Sequence, residues 1–68
     1  MVTKKKYAEV ERQSLARWRA LPEAERQTEF QAANFAEQIE REYGVRYKSV
    51  LSWIVRHEML EGHPLRQR

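Results

Sequence analysis

The sequence predicts an all-α fold: a compact three-helix bundle, or a four-helix one if its middle segment divides, containing a helix-turn-helix. Three observations predict it. Apolar residues recur at spacings of three and four through three successive stretches, the period of a helix that buries one face. Pro22, Gly44 and Gly62 fall where those stretches end, and proline and glycine are the residues that stop helices. The chain has only 68 residues, enough for one domain and no second. A domain this small buries a modest fraction of its surface, so pairing with a second copy is a ready way to add buried area.

The first helix is predicted from Thr3 or Lys4 to Leu21, on the stripe Tyr7, Val10, Ser14, Trp18 and Leu21 with Leu15 on its flank. Pro22 ends it, since a proline ring clashes with the preceding turn. The same Pro22 is suited to open the next helix, where Glu23 and Glu25 complement the positive end of the dipole. From Glu23 to Tyr43 the pattern is helical, with Ala32, Phe35, Ala36, Ile39 and Tyr43 on one stripe. Phe30 lies almost opposite them. Either it contacts the first helix, or the segment divides near Gln27-Thr28, where Thr28 and Gln31 can form a capping box. One long helix or two nearly collinear ones is the preferred expectation.

Gly44 then supplies the residue type that tolerates a left-handed turn. Val45 follows at once, and a third helix is predicted from Tyr47 to Glu61, ending at Gly62 with Pro64 beyond. Ile39, Tyr43, Val45, Val50 and Trp53 give the last two helices a seam to share. Helices joined this way form a helix-turn-helix, whose second helix commonly enters the DNA major groove. The tail, His63 to Arg68, is short and basic and is expected to be mobile.

Charge is distributed in blocks. The net +3 arises from 13 basic and 10 acidic side chains, but residues 1–21 carry +4, residues 22–45 carry −4 and residues 46–68 carry +3. Phosphates would attract both ends and repel the middle, although blocky charge also serves solubility alone. There is no cysteine, which excludes disulfides and thiolate metal sites and fits a reducing cytoplasm. The basic start is followed by no apolar h-region, so no secretory signal is expected. No apolar run approaches the roughly 20 residues that span a bilayer, so no membrane partner is expected.

On a helical wheel of the third helix, Trp53, Ile54, His57, Leu60 and Glu61 fall on the side of Val50, and Lys48, Ser52, Val55 and Met59 fall opposite. Leu51, Val55 and Met59, spaced by four, form a second apolar stripe. It is expected to pack against the first helix or a second protomer. Trp18 and Trp53 read as core anchors, and His57 as a half-buried, hydrogen-bonded residue. His57, Glu61 and His63 would need a third ligand on a rigid element to hold zinc, so no metal or other cofactor is expected. Glu37, Glu40 and Glu42 read as a solvated face. With no nucleophile–base constellation and no phosphate-cradling glycine loop, an enzyme is not expected.

Tyr43-Gly44-Val45, followed by Ser49-Val50 and then Trp53, resembles the helix-turn-helix of prokaryotic repressors and insertion-sequence transposases. The resemblance covers residues 39–53, about a quarter of the chain. It implies that Ile39, Tyr43, Val45, Val50 and Trp53 are the buried seam and that Gly44 is the turn. Ser49 takes the Ser/Thr place near the start of the reading helix, and Arg46, Tyr47, Lys48 and Ser52 occupy groove-facing places. The family usually has a small residue, most often alanine, where this chain has Glu40. A carboxylate between packed helices is costly unless paired, so the helices must cross more widely or Glu40 must rotate outward.

These readings point to a small cytoplasmic DNA-binding regulator, of the size found in phages or plasmids, whose partner is double-stranded DNA and which acts as a homodimer. Arg46, Lys48 and Ser52 would approach bases, while Tyr47, Ser49 and Arg56 would meet phosphates. Lys4, Lys5 and Lys6 read equally as an arm on the DNA backbone or as a solvated terminus. The alternative is an inhibitor or adaptor that docks on a partner protein through Leu51, Val55 and Met59.

Overall fold

The computed structural model describes the chain from Lys4 to Gln67, with side chains from Tyr7 onward. Three helices make up the fold: α1 (Lys4–Arg19), α2 (Glu29–Tyr43) and α3 (Tyr47–Leu60). The all-α, three-helix expectation holds, and the described residues include no strand. None of the helices is long and apolar enough to cross a membrane. The side chains of Lys4, Lys5 and Lys6, and Arg68 entirely, lie outside the described ones.

α1 stops two residues earlier than predicted. Pro22 confines the preceding residue to extended backbone, and the last turn tightens, with Leu21 N–H donating to the Trp18 carbonyl (3.1 Å). The segment from Glu23 to Tyr43 is not one helix, which corrects that part of the expectation; it divides near Gln27-Thr28, as the capping-box alternative had it. Pro22 is extended (φ −56°, ψ 147°) and leads into a single 3₁₀ turn, Glu23–Glu25. The helix restarts at Thr28, where the capping box forms: Thr28 Oγ1 accepts from Gln31 N–H, and Gln31 Oε1 accepts from Thr28 N–H, each at 3.1 Å. Gln31 Oε1 also accepts from Gln27 N–H, and its Nε2 donates to the Ala24 carbonyl. Gln31 thus ties the 3₁₀ turn to the start of α2 and satisfies donors that a fresh helix start would leave open. With the break present, Phe30 contacts no core and is 65% exposed.

The core is built from Trp18, Ala32, Phe35, Ala36, Ile39, Val45, Val50 and Ile54. The small Ala32 and Ala36 allow close approach around Trp18, which meets Phe35 edge-on at 5.4 Å. Tyr7 meets Trp53 in the same manner at 6.3 Å, closing the N-terminal end of α1 onto α3. Across the surface, Arg17 Nη1 and Nη2 donate to the two oxygens of Glu42 at 2.9 and 3.0 Å, a bidentate tie between α1 and α2.

α3 ends in a Schellman closure. Gly62 (φ +89°) donates to Met59 O, and His63 N–H donates to Glu58 O. The tail after it is not free, contrary to expectation. Arg66 N–H donates to the Gln27 carbonyl (2.9 Å), and Glu29 N–H donates to the Arg66 carbonyl (2.7 Å). Leu65 packs against the core. The tail therefore straps the end of α3 to the start of α2, and the pairing uses backbone groups that composition alone does not reveal.

Candidate nucleic-acid interface

The corner between α2 and α3 is set by Gly44. Its backbone is left-handed (φ 74°, ψ 20°), and its N–H closes α2 on the Glu40 carbonyl at 2.9 Å. No neighbour crowds a Cβ built there, so the glycine answers to backbone conformation alone. Ile39, Val45 and Val50 are fully buried across this corner, and Tyr43 and Trp53 pack on its margins. The seam expected from the sequence is present.

Glu40 does not enter that seam. Its side chain is exposed, and its Oε2 accepts from Tyr47 N–H at 3.1 Å. One residue therefore serves both helices: its carbonyl ends α2, and its carboxylate satisfies an open donor at the start of α3. Arg46, the residue before α3, makes no side-chain cap of its own. The carboxylate also faces the positive end of the α3 dipole, a favourable placement.

α1 crosses the side of α3 that carries Trp53 and Glu58, leaving the opposite side open. There Arg46, Lys48, Ser52 and Arg56 are all exposed. Tyr47 and Ser49 are not as anticipated. Both are half-buried, and the Tyr47 ring packs against the core, so neither side chain projects freely from the helix. The Leu51, Val55 and Met59 stripe divides: Leu51 packs against the core, and Met59 at the other end is exposed. These residues, with Leu60, line an open groove of about 440 Å³ rimmed by Lys48, Ser52 and Arg56. Leu51 and Val55 are half-buried, whereas Met59 is 62% exposed.

A second constellation escaped the sequence reading. Glu58 is 2% exposed, yet both of its oxygens are engaged. Oε1 accepts from the buried Trp18 Nε1–H at 2.6 Å, and Oε2 lies 2.6 Å from His63 Nδ1. The signal was available: Glu58 is one turn beyond Ile54 and two beyond Val50, so the buried stripe runs through it. The wheel centred on Val50 placed Leu60 on the apolar side. The stripe is rotated toward Glu58, and Leu60 is 81% exposed.

His63 is consequently turned to Glu58 and away from His57, whose Nε2 is 3.8 Å from Glu61 Oε1, beyond hydrogen-bond reach. Among the described residues no three His, Cys, Asp or Glu side chains converge as a metal-ligand set. A cleft of about 290 Å³ adjoins Glu58 and His63, with Arg26 and Arg66 on its walls. Carboxylate and imidazole in contact form one half of a nucleophile-activating relay. Among the described residues, however, no hydroxyl hydrogen-bonds to the His63 ring, and the buried Ser14 Oγ has no partner. This cluster acts as a staple between α1, α3 and the tail. No family model, curated protein or solved structure matches the chain.

Proposed function

We propose that this chain is a small helix-turn-helix protein that binds double-stranded DNA through the open side of α3 and thereby regulates transcription. The observation carrying this reading is that α1 and α2 cover two sides of α3, while Arg46, Lys48, Ser52 and Arg56 stand exposed on the remaining face. Lys48 and Arg56 are eight residues apart, about 12 Å along a helix rising 1.5 Å per residue. The B-DNA major groove is about 12 Å wide, so the two cations are spaced to meet the phosphates on its opposite rims, with Ser52 between them at the bases. Arg46 adds a third cation at the helix entrance, and two copies would present two α3 helices to successive grooves.

The test is a salt titration. Three phosphate contacts predict that log K falls against log salt with a slope of about −2.7, or about 40-fold in affinity between 50 and 200 mM salt. Fluorescence anisotropy with a mixed-sequence duplex measures this, and Lys48→Ala should reduce the slope by about 0.9. Absence of salt-sensitive binding to any duplex defeats the proposal.

The apolar groove between the same cations favours a second reading, docking of an acidic amphipathic helix from a partner protein. Leu51→Asp and Met59→Asp would then abolish association while Arg46→Ala and Lys48→Ala mattered little.

A further inference from the structure

The groove on α3 holds more apolar surface than phosphate binding needs. Leu51 and Val55 line it together with Lys48 and Arg56; both are half-buried, and Leu51 also packs against the core. At 1.5 Å per residue, Leu51 lies about 6 Å and Val55 about 12 Å from the start of α3. Both fall in the first two and a half turns of α3, the end that meets base edges in a helix-turn-helix, whereas Met59 lies a further turn away. The thymine C5-methyl is the apolar feature that the standard bases present on the major-groove floor.

We propose that Leu51 and Val55 read thymine methyl groups, giving this chain a preference for thymine-bearing sites. The proposal rests on the DNA reading above and adds the chemistry of the bases recognised. Charge complementarity selects this occupant. Phosphates on both rims would neutralise Lys48 and Arg56, with methyls seated between them. A second copy on the same face would set cations against cations, whether the helices ran parallel or antiparallel about Ser52, and like charges in close apposition are unfavourable.

The experiment uses randomised 20-bp duplex pools that are identical except that thymine is replaced by uracil, which differs only by the methyl. Binding of the full chain is measured by anisotropy after one round of selection on the thymine pool. The uracil version should bind about fourfold more weakly per buried methyl, or about fifteenfold for two. Leu51→Ala and Val55→Ser, each checked for native helicity by circular dichroism, should shrink that ratio while preserving the salt slope. Lys48→Ala should do the reverse. Equal binding of both pools with an intact salt slope overturns this inference and leaves the DNA reading standing. No salt-sensitive binding to either pool overturns both. Self-association abolished by Leu51→Asp, with no difference between pools, assigns the groove to a second copy and overturns the inference.

Discussion

Replacing Glu58 with leucine isolates what the buried staple contributes. The change keeps a helix-forming residue of similar bulk at a position that is 2% exposed and removes both oxygens. Trp18, fully buried, then has an indole N–H with no acceptor. A fully buried donor left without an acceptor costs about 2–3 kcal/mol, and the added apolar burial returns roughly 1 kcal/mol. The net loss of about 1–2 kcal/mol compares with a total stability of about 3–10 kcal/mol for a chain of this length. It should lower Tm by about 4–16 °C. Urea unfolding followed by far-ultraviolet circular dichroism measures it without relying on the indole as reporter. Trp18→Phe removes the orphaned donor, so the double variant should fall at least about 1 kcal/mol short of the summed single losses. A Glu58→Leu protein as stable as the parent, or strict additivity in the cycle, refutes the staple.

Three further outcomes are expected. Ser14→Ala deletes a buried hydroxyl that has no partner and adds helix propensity, so urea denaturation should show a gain of about 1–2 kcal/mol; a loss would reveal an acceptor for Oγ. Glu42 is held below its ordinary carboxyl value of 4.5, chiefly by the Arg17 hydrogen bonds and further by the Arg17 charge. A depressed carboxyl stabilises the fold above its unfolded value and loses that contribution as pH falls through its folded value. Tm curves of the parent and Arg17→Met should therefore differ at neutral pH and draw together as pH falls below the ordinary carboxyl value and through the depressed one; parallel curves would show that the tie does nothing. Glu40→Gln keeps an acceptor for Tyr47 N–H but removes a negative charge beside the proposed interface. It should tighten duplex binding by about two- to fivefold at low salt, whereas Glu40→Ala should cost about 0.5–1 kcal/mol of stability; duplex affinity unchanged by Glu40→Gln would place the carboxylate away from the phosphates.

The helices were legible because their periodicity is strong and their stops are chemically explicit. Ile39, Val45 and Val50 declared themselves through spacing, and Gly44 through its conformational licence. The divided middle segment was legible as an alternative, since Thr28 and Gln31 carry a capping signature. The helical pattern of Glu23 to Tyr43 masked the break there, because periodicity does not register where a chain turns. Glu58, although it continues the Val50–Ile54 stripe, was passed over for a different reason: a charged residue on an apolar stripe is ordinarily assigned to the surface, and its partners lie 40 residues back and five ahead. The role of Glu40 was half-readable. Its departure from a small residue signalled a changed corner, but the donor it meets depended on the direction taken by the chain after Gly44.

The strap formed by the tail has a consequence for how this molecule opens. Two backbone bonds, Leu65 and the His63–Glu58 contact hold it, less than holds any helix, so it is the unit that detaches first when the native state fluctuates. Its release withdraws His63 and lets water reach one oxygen of Glu58 while the three rods stay assembled. Amide exchange at Arg66 and Glu29 would report that partial opening at a lower free energy than exchange at Ile54.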